Sequence, residues 1–479
     1  MARLEAEADE HGPDEPEPEP IKANGVWVFP RESALAIAQC WLLDHPPIGY
    51  HPESGWWRWA NGCWSQVFSE EVERDVMLWL PNQRLGVRDK MGFSHTRALS
   101  AEPEEFDRVV KTIRRLRLIT EHKAQGWLVT TDKPGFLLCL GDCLFDPETG
   151  RQYEHTPEYW TTSALKFSAR EALEAPKPEL WLRFLYESWG DKEVGMMQEW
   201  FGYCLTPDTS QQKFMFLVGQ PGSGKGTILN ILLALVGRKN ALSVPMSFFG
   251  GDYKPADFAE KLLICVPDAR DVRYGDALTE VLSITGGDDI LVNPKMKSAF
   301  SAKPRGKIII GSNDLPNLQD TSDALARRAI PLRRDQGPNH NEDPALAVKL
   351  LAELPGIFRW ALEGLNRLRA RGYFDISVLD PELRRELREA ANPIAAFLEE
   401  TVILDPHSTV RKTALFEAWL KWAKENSVRI IYNSNKFSRG VKGTLRITSE
   451  RRGAGGLKQV YCGIRWRDSE REMEELGHG

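Results

Sequence analysis

The chain has 479 residues and a formal net charge of −6, with 42% hydrophobic and 27% charged residues. This length predicts about three domains, and this composition predicts an ordinary globular protein with a large core. A small disulfide-dense scaffold is excluded, because the chain is long and its seven cysteines are scattered. The cysteines also lack the spacing of a zinc site. No apolar run approaches the ~20 residues that span a bilayer, so we expect a cytoplasmic protein without a membrane partner.

Acidic residues and prolines dominate the beginning of the chain. Residues 1–20 hold eight acidic residues and one basic residue. Such a segment cannot bury a core, so residues 1–22 are predicted to be a disordered tail, and they lack the pattern of a secretory signal peptide. The rest of the chain is nearly neutral, with 61 basic and 60 acidic residues. Any binding of nucleic acid therefore depends on local basic patches.

Residues 23–180 have the mixed pattern of an α/β domain. Within them, residues 55–64 predict a hairpin whose turn is Asn61-Gly62, because this dipeptide readily adopts the left-handed conformations of a two-residue turn. The four tryptophans of this hairpin either pack against it or stack on bases, and we favour packing.

A glycine-bounded apolar segment at residues 213–218 predicts a buried parallel strand. Helical and strand patterns then alternate to about residue 335, which favours an α/β core. We assign residues 181–375 to this domain and residues 376–479 to a third. In the third domain, residues 413–425 carry apolar side chains at helical spacing, and a polar helix and two strands are expected to follow.

A glycine-rich loop directly follows the strand at residues 213–218, and an apolar helical segment follows the loop. In this arrangement backbone N–H groups and a helix N-terminus hold an anion, and a lysine contacts the β- and γ-phosphates of a nucleotide. Ser or Thr ordinarily follows the lysine to hold Mg²⁺; here Gly226 does, which leaves Thr227 as the candidate ligand. We therefore predict that ATP and Mg²⁺ are bound by the loop Gly219, Gln220, Pro221, Gly222, Ser223, Gly224, Lys225, Gly226 and Thr227.

Polar side chains end the strands that come next in the chain. Asp268 ends an apolar strand and is the candidate for binding Mg²⁺ or its water shell; Asn313 ends another and could orient the attacking water. Arg327 and Arg328 follow, and an arginine of this kind can neutralise transition-state charge from a neighbouring subunit. Arg328 is slightly preferred. These four residues and Lys225 are the predicted catalytic set.

The order of these motifs resembles the superfamily 3 helicases of phages, plasmids and poxviruses, in particular the phage and plasmid primase-helicase type. The matching segments are residues 199–205, 219–227, 266–270, 285–288, 312–316 and 320–328. The resemblance implies an AAA+-like P-loop NTPase core, preceded by the family's α/β domain and followed by a winged-helix domain. It also implies hexameric rings that encircle one DNA strand and move 3′ to 5′ in a bacterial host. We do not expect the primase module that many members carry.

Two basic elements are candidates for binding DNA. Residues 289–305 predict a hairpin, which in the resembling family lines the central channel, so that Lys295 and Lys297 would contact phosphates. Residues 429–467 hold ten basic residues and one acidic residue, a concentration that favours nucleic acid. A recognition helix at residues 433–443 and a wing at residues 451–456 would contribute Lys436, Arg439, Lys442, Arg451 and Arg452.

The leading hypothesis is an ATP-dependent replicative DNA helicase of a phage, prophage or plasmid, acting on single-stranded and forked DNA. An origin-binding or loading ATPase without unwinding activity is one alternative. A nucleotide kinase is a weaker one, suggested by the sequence Gly-Lys-Gly-Thr at residues 224–227. A separate primase or polymerase is left open as a partner.

Overall fold

The computed structural model describes residues 19–52, 54–88, 94–100, 102–119, 125–128, 133–255, 258–269, 275–295, 299–313, 324–334, 343–426, 428, 432–452 and 458–467. It divides into two compact units. The first comprises residues 1–133, 141–144 and 154–164, and the second comprises residues 134–140, 145–153 and 165–479. The predicted boundaries at residues 180 and 375 fall inside the second unit and stay predictions. Among the described helices, none combines the length and apolarity that crossing a membrane requires.

The first unit is built from short strands and three helices in its described part. Strands β1, β2, β6 and β7 form one sheet in that order, and β3, β4 and β5 form another. Helices α1 and α3 contribute buried residues to its core. The elements in chain order are β1 Ile21–Ala23, β2 Val26–Phe29, α1 Ala34–Asp44, β3 Ile48–His51, β4 Gly55–Ala60, β5 Cys63–Val67, α2 Ser69–Trp79, β6 Arg84–Arg88, β7 Ser94–Ala98, α3 Pro103–Leu116 and β8 Gly126–Trp127. Of the two-residue strands that follow in the chain, β12 Tyr159–Trp160 belongs to this unit. β9 Leu138–Cys139 and β11 Gln152–Tyr153 belong to the second unit, and β10 Leu144–Phe145 has one residue in each.

The predicted hairpin is confirmed as β4 and β5, which pair antiparallel up to Ala60 and Cys63. Asn61 and Gly62 form its turn with φ angles of 50° and 78°. Trp56 and Trp64 are buried, so packing is confirmed as the role of these two tryptophans.

The predicted disordered tail, residues 1–22, overlaps the first strand of the structure. Residues 1–18 lie outside the described residues, but Ile21–Ala23 pair with β2 as an antiparallel strand. Asn24 and Gly25 make the turn, with φ angles of 48° and 79°. The acidic and proline-rich composition ends before this Asn-Gly turn, which has the same chemistry as the one predicted at Asn61-Gly62.

The second unit contains a five-stranded parallel sheet in the order β14, β15, β18, β13, β19 within the described residues. This confirms the predicted α/β core with a buried parallel strand. The elements are α4 Ala169–Leu173, α5 Glu179–Tyr186, α6 Asp191–Cys204, β13 Phe214–Gly219, α7 Lys225–Val236, β14 Ala241–Ser243, β15 Leu263–Val266, α8 Gly275–Gly286, β16 Ile290–Val292, β17 Phe300–Ala302, β18 Lys307–Ser312, α9 Ala324–Arg328, β19 Ala329–Arg334, α10 Leu346–Ala352 and α11 Leu354–Arg371.

The sheet has a reversal of strand order beside β13. After β13 the chain crosses to β14 at the edge, returns through β15 and β18, and then adds β19 on the far side of β13. The connection after β13 therefore runs toward β14, whereas the connection after β18 runs the other way, to β19. Such a change of direction opens a crevice at the carboxyl ends of the strands, where ligands of open α/β sheets bind.

The end of the chain forms a small α/β layer within the second unit. Its antiparallel sheet has the order β20, β22, β21, and its core includes Phe397, Trp419, Phe437 and Tyr461. The helices predicted near residues 413–425 and 433–443 are present as α14 and α15. The elements are α12 Pro381–Ala391, α13 Pro393–Thr401, β20 Val402–Arg411, α14 Lys412–Glu425, α15 Ser434–Leu445, β21 Thr448–Arg452 and β22 Lys458–Trp466.

Candidate functional site

The loop between β13 and α7 has the backbone shape of an anion cradle. Gly222 and Gly224 have φ angles of 82° and 81°, in the left-handed region that favours glycine. Gly224 is the N-cap of α7 and makes no side-chain cap hydrogen bond. The first N–H groups of this twelve-residue helix therefore point out of the helix without intrahelical acceptors. A helix N-terminus of this kind attracts a negative charge.

Lys225 is the first residue of α7 and is only 8% exposed. Its Nζ donates to the carbonyl oxygens of Gly219 and, at 3.1 Å, Gln220. It also donates to Ser223 Oγ at 3.1 Å and to Asn313 Oδ1 at 3.3 Å. The ammonium group is thus held over the loop, in a position to exchange these neutral acceptors for phosphate oxygens, with which charge-assisted hydrogen bonds are stronger.

Asp268 and Asn313 follow two adjacent strands. β15 and β18 pair parallel with Val266 opposite Ile310, so both side chains lie beyond the same edge of the sheet. A Cβ on Gly311 would lie 2.7 Å from the carbonyl oxygen of Pro267, which shows how closely the two strand ends approach. Asp268, Asn313 and residues 221–227 line one cavity of about 1070 Å³. The structure thus brings together the predicted loop and two of the predicted catalytic residues.

The oxygen donors in this cavity fit Mg²⁺, a hard cation that prefers carboxylate and hydroxyl oxygens. Thr227 supplies a half-buried hydroxyl and Asp268 an exposed carboxylate, and both line the cavity. A Cβ on Gly226 would meet no atom within 4 Å, so the position where Ser or Thr is usual faces open space. Thr227 and Asp268 are therefore the residues that would hold the ion.

Arg327 and Arg328 do not line this cavity in the described structure, and their side chains differ. Arg328 donates through Nη1 to the carbonyl oxygen of Leu282, and its guanidinium lies 2.9 Å from where a Cβ on Gly286 would be. Arg327 is exposed. The hydrogen bond to Leu282 distinguishes Arg328 from Arg327, and the slight preference for Arg328 as the arginine that acts on a neighbouring subunit stays a prediction. A role of Arg327 in another subunit stays a prediction.

Two further residues line the same cavity and were missed by the sequence analysis. Arg334 is the last residue of β19, so it lies at the same end of the sheet as Asp268 and Asn313. Phe184 belongs to α5. A Cβ on Gly224 would lie 2.8 Å from Phe184 Cζ and 3.7 Å from Arg334 Nη1. The position of Arg334 at the end of a largely apolar strand is a signal that sequence reasoning could have used. The sequence around Phe184 carries no such signal.

The predicted hairpin at residues 289–305 is confirmed as β16 and β17, paired antiparallel with Val292 opposite Phe300. Lys295 is exposed near its tip, with Nζ 5.9 Å from the ring centroid of Tyr253. Tyr253 is 59% exposed and was not among the predicted residues. Lys297 lies outside the described residues.

The segment that carries Tyr253 is tied to the hairpin and to α8. The N–H of Lys254 donates to the carbonyl oxygen of Asn293 at 3.1 Å. The buried Lys254 Nζ forms an ion pair with Glu280 at 2.9 Å. An exposed cation and an exposed aromatic ring are thereby held side by side, and this is the combination that binds single-stranded nucleic acid through phosphate contact and base stacking.

The predicted basic residues of α15 share one face of that helix. Lys436, Arg439 and Lys442 are all exposed and are spaced three residues apart. Lys412, the first residue of α14, is close enough to this helix for the charge of Lys442, after burial, to lower the pKa of Lys412. Arg451 is exposed on β21. The side chain of Arg452 and the predicted wing beyond it lie outside the described residues.

Two family models match parts of the chain. Residues 39–190 match the model described as "D5 N terminal like", and residues 217–328 match one described as "Family of unknown function (DUF5906)". The second match spans the interval from β13 to Arg328, which holds the loop and the strand ends described above. The first match supports the resemblance to phage primase-helicase proteins, and with it a function connected with replication.

Solved structures of one other protein are similar to most of the chain. "The A form apo structure of NrS-1 C terminal region-CTR" is 12% identical with a TM-score of 0.48, and the match covers 90% of this chain and 100% of that one. "The apo structure of NrS-1 C terminal region (305-718)" is also 12% identical with a TM-score of 0.49, covering 91% and 100%.

Proposed function

We propose that the chain is an ATP-dependent DNA helicase of the superfamily 3 type, acting in replication of a phage, prophage or plasmid in the host cytoplasm. One observation carries the proposal: Lys225, Asp268 and Asn313 meet at one cavity, at the carboxyl ends of three neighbouring strands of a parallel sheet. A phosphate-binding loop, a carboxylate and a polar amide in this order are what hydrolysis of a nucleoside triphosphate requires.

The chemistry follows from the positions of these groups. Backbone N–H groups of the loop and Lys225 bind the phosphate chain and offset the charge that develops as the terminal phosphoryl group leaves. Asn313 accepts from Lys225 at 3.3 Å, so its amide would lie near a terminal phosphate bound by Lys225 and could orient a water molecule there. Thr227 and Asp268 would hold Mg²⁺, which would supply further positive charge to the phosphates when bound.

In this proposal a further source of positive charge is an arginine from a neighbouring subunit. Among the described residues, Arg327 is an exposed arginine that α9 places outside its own cavity. A ring, for which a hexamer is the expected form, would bring Arg327 of one subunit to the cavity of the next. Such an arrangement makes hydrolysis depend on assembly.

Coupling to DNA is assigned to the hairpin and to α15. Lys295 and Tyr253, which lie side by side, would contact phosphate and base of a single strand, with Lys297 as a second tip lysine. The basic face of α15 and β21 would contact duplex ahead of a fork. Movement from 3′ to 5′ and recruitment of a separate primase or polymerase belong to the same proposal.

The test is ATP hydrolysis and forked-DNA unwinding by the purified full chain. Lys225→Ala should abolish hydrolysis, because the loop then lacks its cation; substantial residual turnover would contradict the assignment of the loop. Lys295→Ala together with Lys297→Ala should remove stimulation of hydrolysis by single-stranded DNA. Lys303→Ala is the matched control, since Lys303 is an exposed lysine just beyond β17 and should keep that stimulation.

An origin-binding ATPase is the second candidate, and the exposed basic side chains of α15 favour it. The same assay separates the two. ATP hydrolysis with duplex binding but without strand displacement would support the origin-binding ATPase, and strand displacement would support the helicase.

A further inference from the structure

Arg334 lies on the side of the loop opposite to Asn313. β13 has β18 on one side and β19 on the other, and Gly219 at the start of the loop pairs with Arg334. The side chain of Arg334 lines the cavity and reaches Gly224, whose Cβ would lie 3.7 Å from Nη1. The cavity therefore has a cation on each flank, with Lys225 beside Asn313 and Arg334 beside β19.

Arg334 is a buried cation with an unpaired guanidinium nitrogen in the part of the chain that the structure describes. It is 5% exposed, and its Nε is enclosed without a hydrogen-bond partner among the described residues. Burying a charge is unfavourable unless an opposite charge or hydrogen bonds compensate for the lost hydration. Desolvation lowers the pKa of the guanidinium, yet arginine stays protonated in proteins. An anionic ligand in the cavity would supply the missing compensation.

The flank that Arg334 occupies indicates which part of a nucleotide it meets. The transferred phosphate has to lie beside Asn313 and Asp268, so the phosphate chain leads away from them toward β19. On that side Phe184 lies against Gly224, and Leu346 of α10 lines the same cavity. These apolar groups suit a base, and the guanidinium between them and the loop suits the phosphates nearest the nucleoside.

We propose that Arg334 binds, within its own chain, the non-transferred phosphates of a nucleoside di- or triphosphate, with Phe184 providing the surface for the base. This inference rests on the proposed function, because it requires a nucleotide at the loop. Arg334 is a binding residue common to substrate and product. It differs from an arginine that contacts only the transferred phosphoryl group.

The experiment compares ADP with a non-hydrolysable ATP analogue by calorimetric titration of the full chain. Arg334→Met removes the charge at similar length and should weaken both ligands by the same factor, on the order of 10- to 100-fold for a charge-assisted hydrogen bond. Arg334→Lys keeps the charge but loses the fork of donors, and should weaken both about 3- to 10-fold. Arg333→Met is the matched control, because Arg333 pairs with Glu386 at 3.0 Å and does not line the cavity.

Wild-type affinity in Arg334→Met would overturn the inference. So would a loss confined to the triphosphate, since Arg334 would then contact the transferred group. Should Arg334→Met fail to fold, Arg334→Lys decides alone, and unchanged affinity for both ligands overturns the assignment. Absence of nucleotide binding by the wild-type chain would instead refute the proposed function itself.

Discussion

Lys307 is a buried lysine whose charge the fold disfavours, and its removal gives a measurable pH dependence. It begins β18, is 3% exposed, and donates to the carbonyl oxygen of Thr206. Burial lowers the pKa of Lys307 from 10.5 to about 7. At 1.36 kcal/mol per pKa unit, this difference corresponds to ~5 kcal/mol at its full extent.

Proton linkage determines whether the stability of the fold rises or falls with pH. Between pH 7 and 10.5 the unfolded chain keeps the proton on Lys307, while the folded chain has lost about half of it at pH 7 and nearly all of it at higher pH. Stability therefore rises with pH in this window. From pH 7.0 to 8.5 the contribution of Lys307 is about 2 kcal/mol. In Lys307→Met this rise should be missing.

Urea unfolding of wild type and Lys307→Met at pH 7.0 and pH 8.5, followed by tryptophan fluorescence, measures the effect. The stability of the variant relative to wild type should fall by about 2 kcal/mol between the two pH values, and taking this difference cancels the titration of other groups. The exposed Lys239, changed to Met, controls for the loss of one positive charge. A relative stability of Lys307→Met that is the same at both pH values would refute the argument from burial.

Two further comparisons use matched pairs. Arg327→Ala subunits mixed with wild type should inhibit hydrolysis more than in proportion to their share, whereas Arg328→Ala should chiefly lower the melting temperature; equal inhibition by both would remove the distinction between them. Gly202→Ala should destabilise by about 1–3 kcal/mol in chemical denaturation, because its Cβ would lie 2.2 Å from the carbonyl oxygen of Ala361. Gly195→Ala in the same helix α6 meets nothing within 4 Å and should stabilise slightly; a similar response at both positions would contradict the close helix packing.

Sequence reasoning predicted the parts of the site that depend on local pattern. The loop could be predicted because glycines, a lysine and flanking apolar segments are contiguous. Asp268 and Asn313 could be predicted because a residue that follows a buried parallel strand lies at the edge where the other strands also end. The Asn61-Gly62 turn followed from the same kind of local rule.

The features that sequence reasoning missed depend on contacts between segments that are distant in the chain. Phe184 meets the loop only because α5 packs beside it, and Tyr253 meets Lys295 only because Lys254 is tied to the hairpin. The hydrogen bond of Arg328 to the carbonyl oxygen of Leu282 likewise joins two elements whose proximity no periodicity reveals. Burial of Lys307 is hidden for the same reason, since lysine in a sequence is ordinarily a surface residue.

The anchoring of the β16–β17 hairpin bears on how force would reach a DNA strand. Its first strand is tied through Asn293 to Lys254, and Lys254 is clamped to Glu280 of α8. Its second strand leads within a few residues into β18, which ends beside the cavity. A hairpin root fixed at both ends is poorly suited to swing as a free arm. In the proposed helicase, translocation would then arise from movement of whole subunits relative to their neighbours, and each hairpin would move with its subunit.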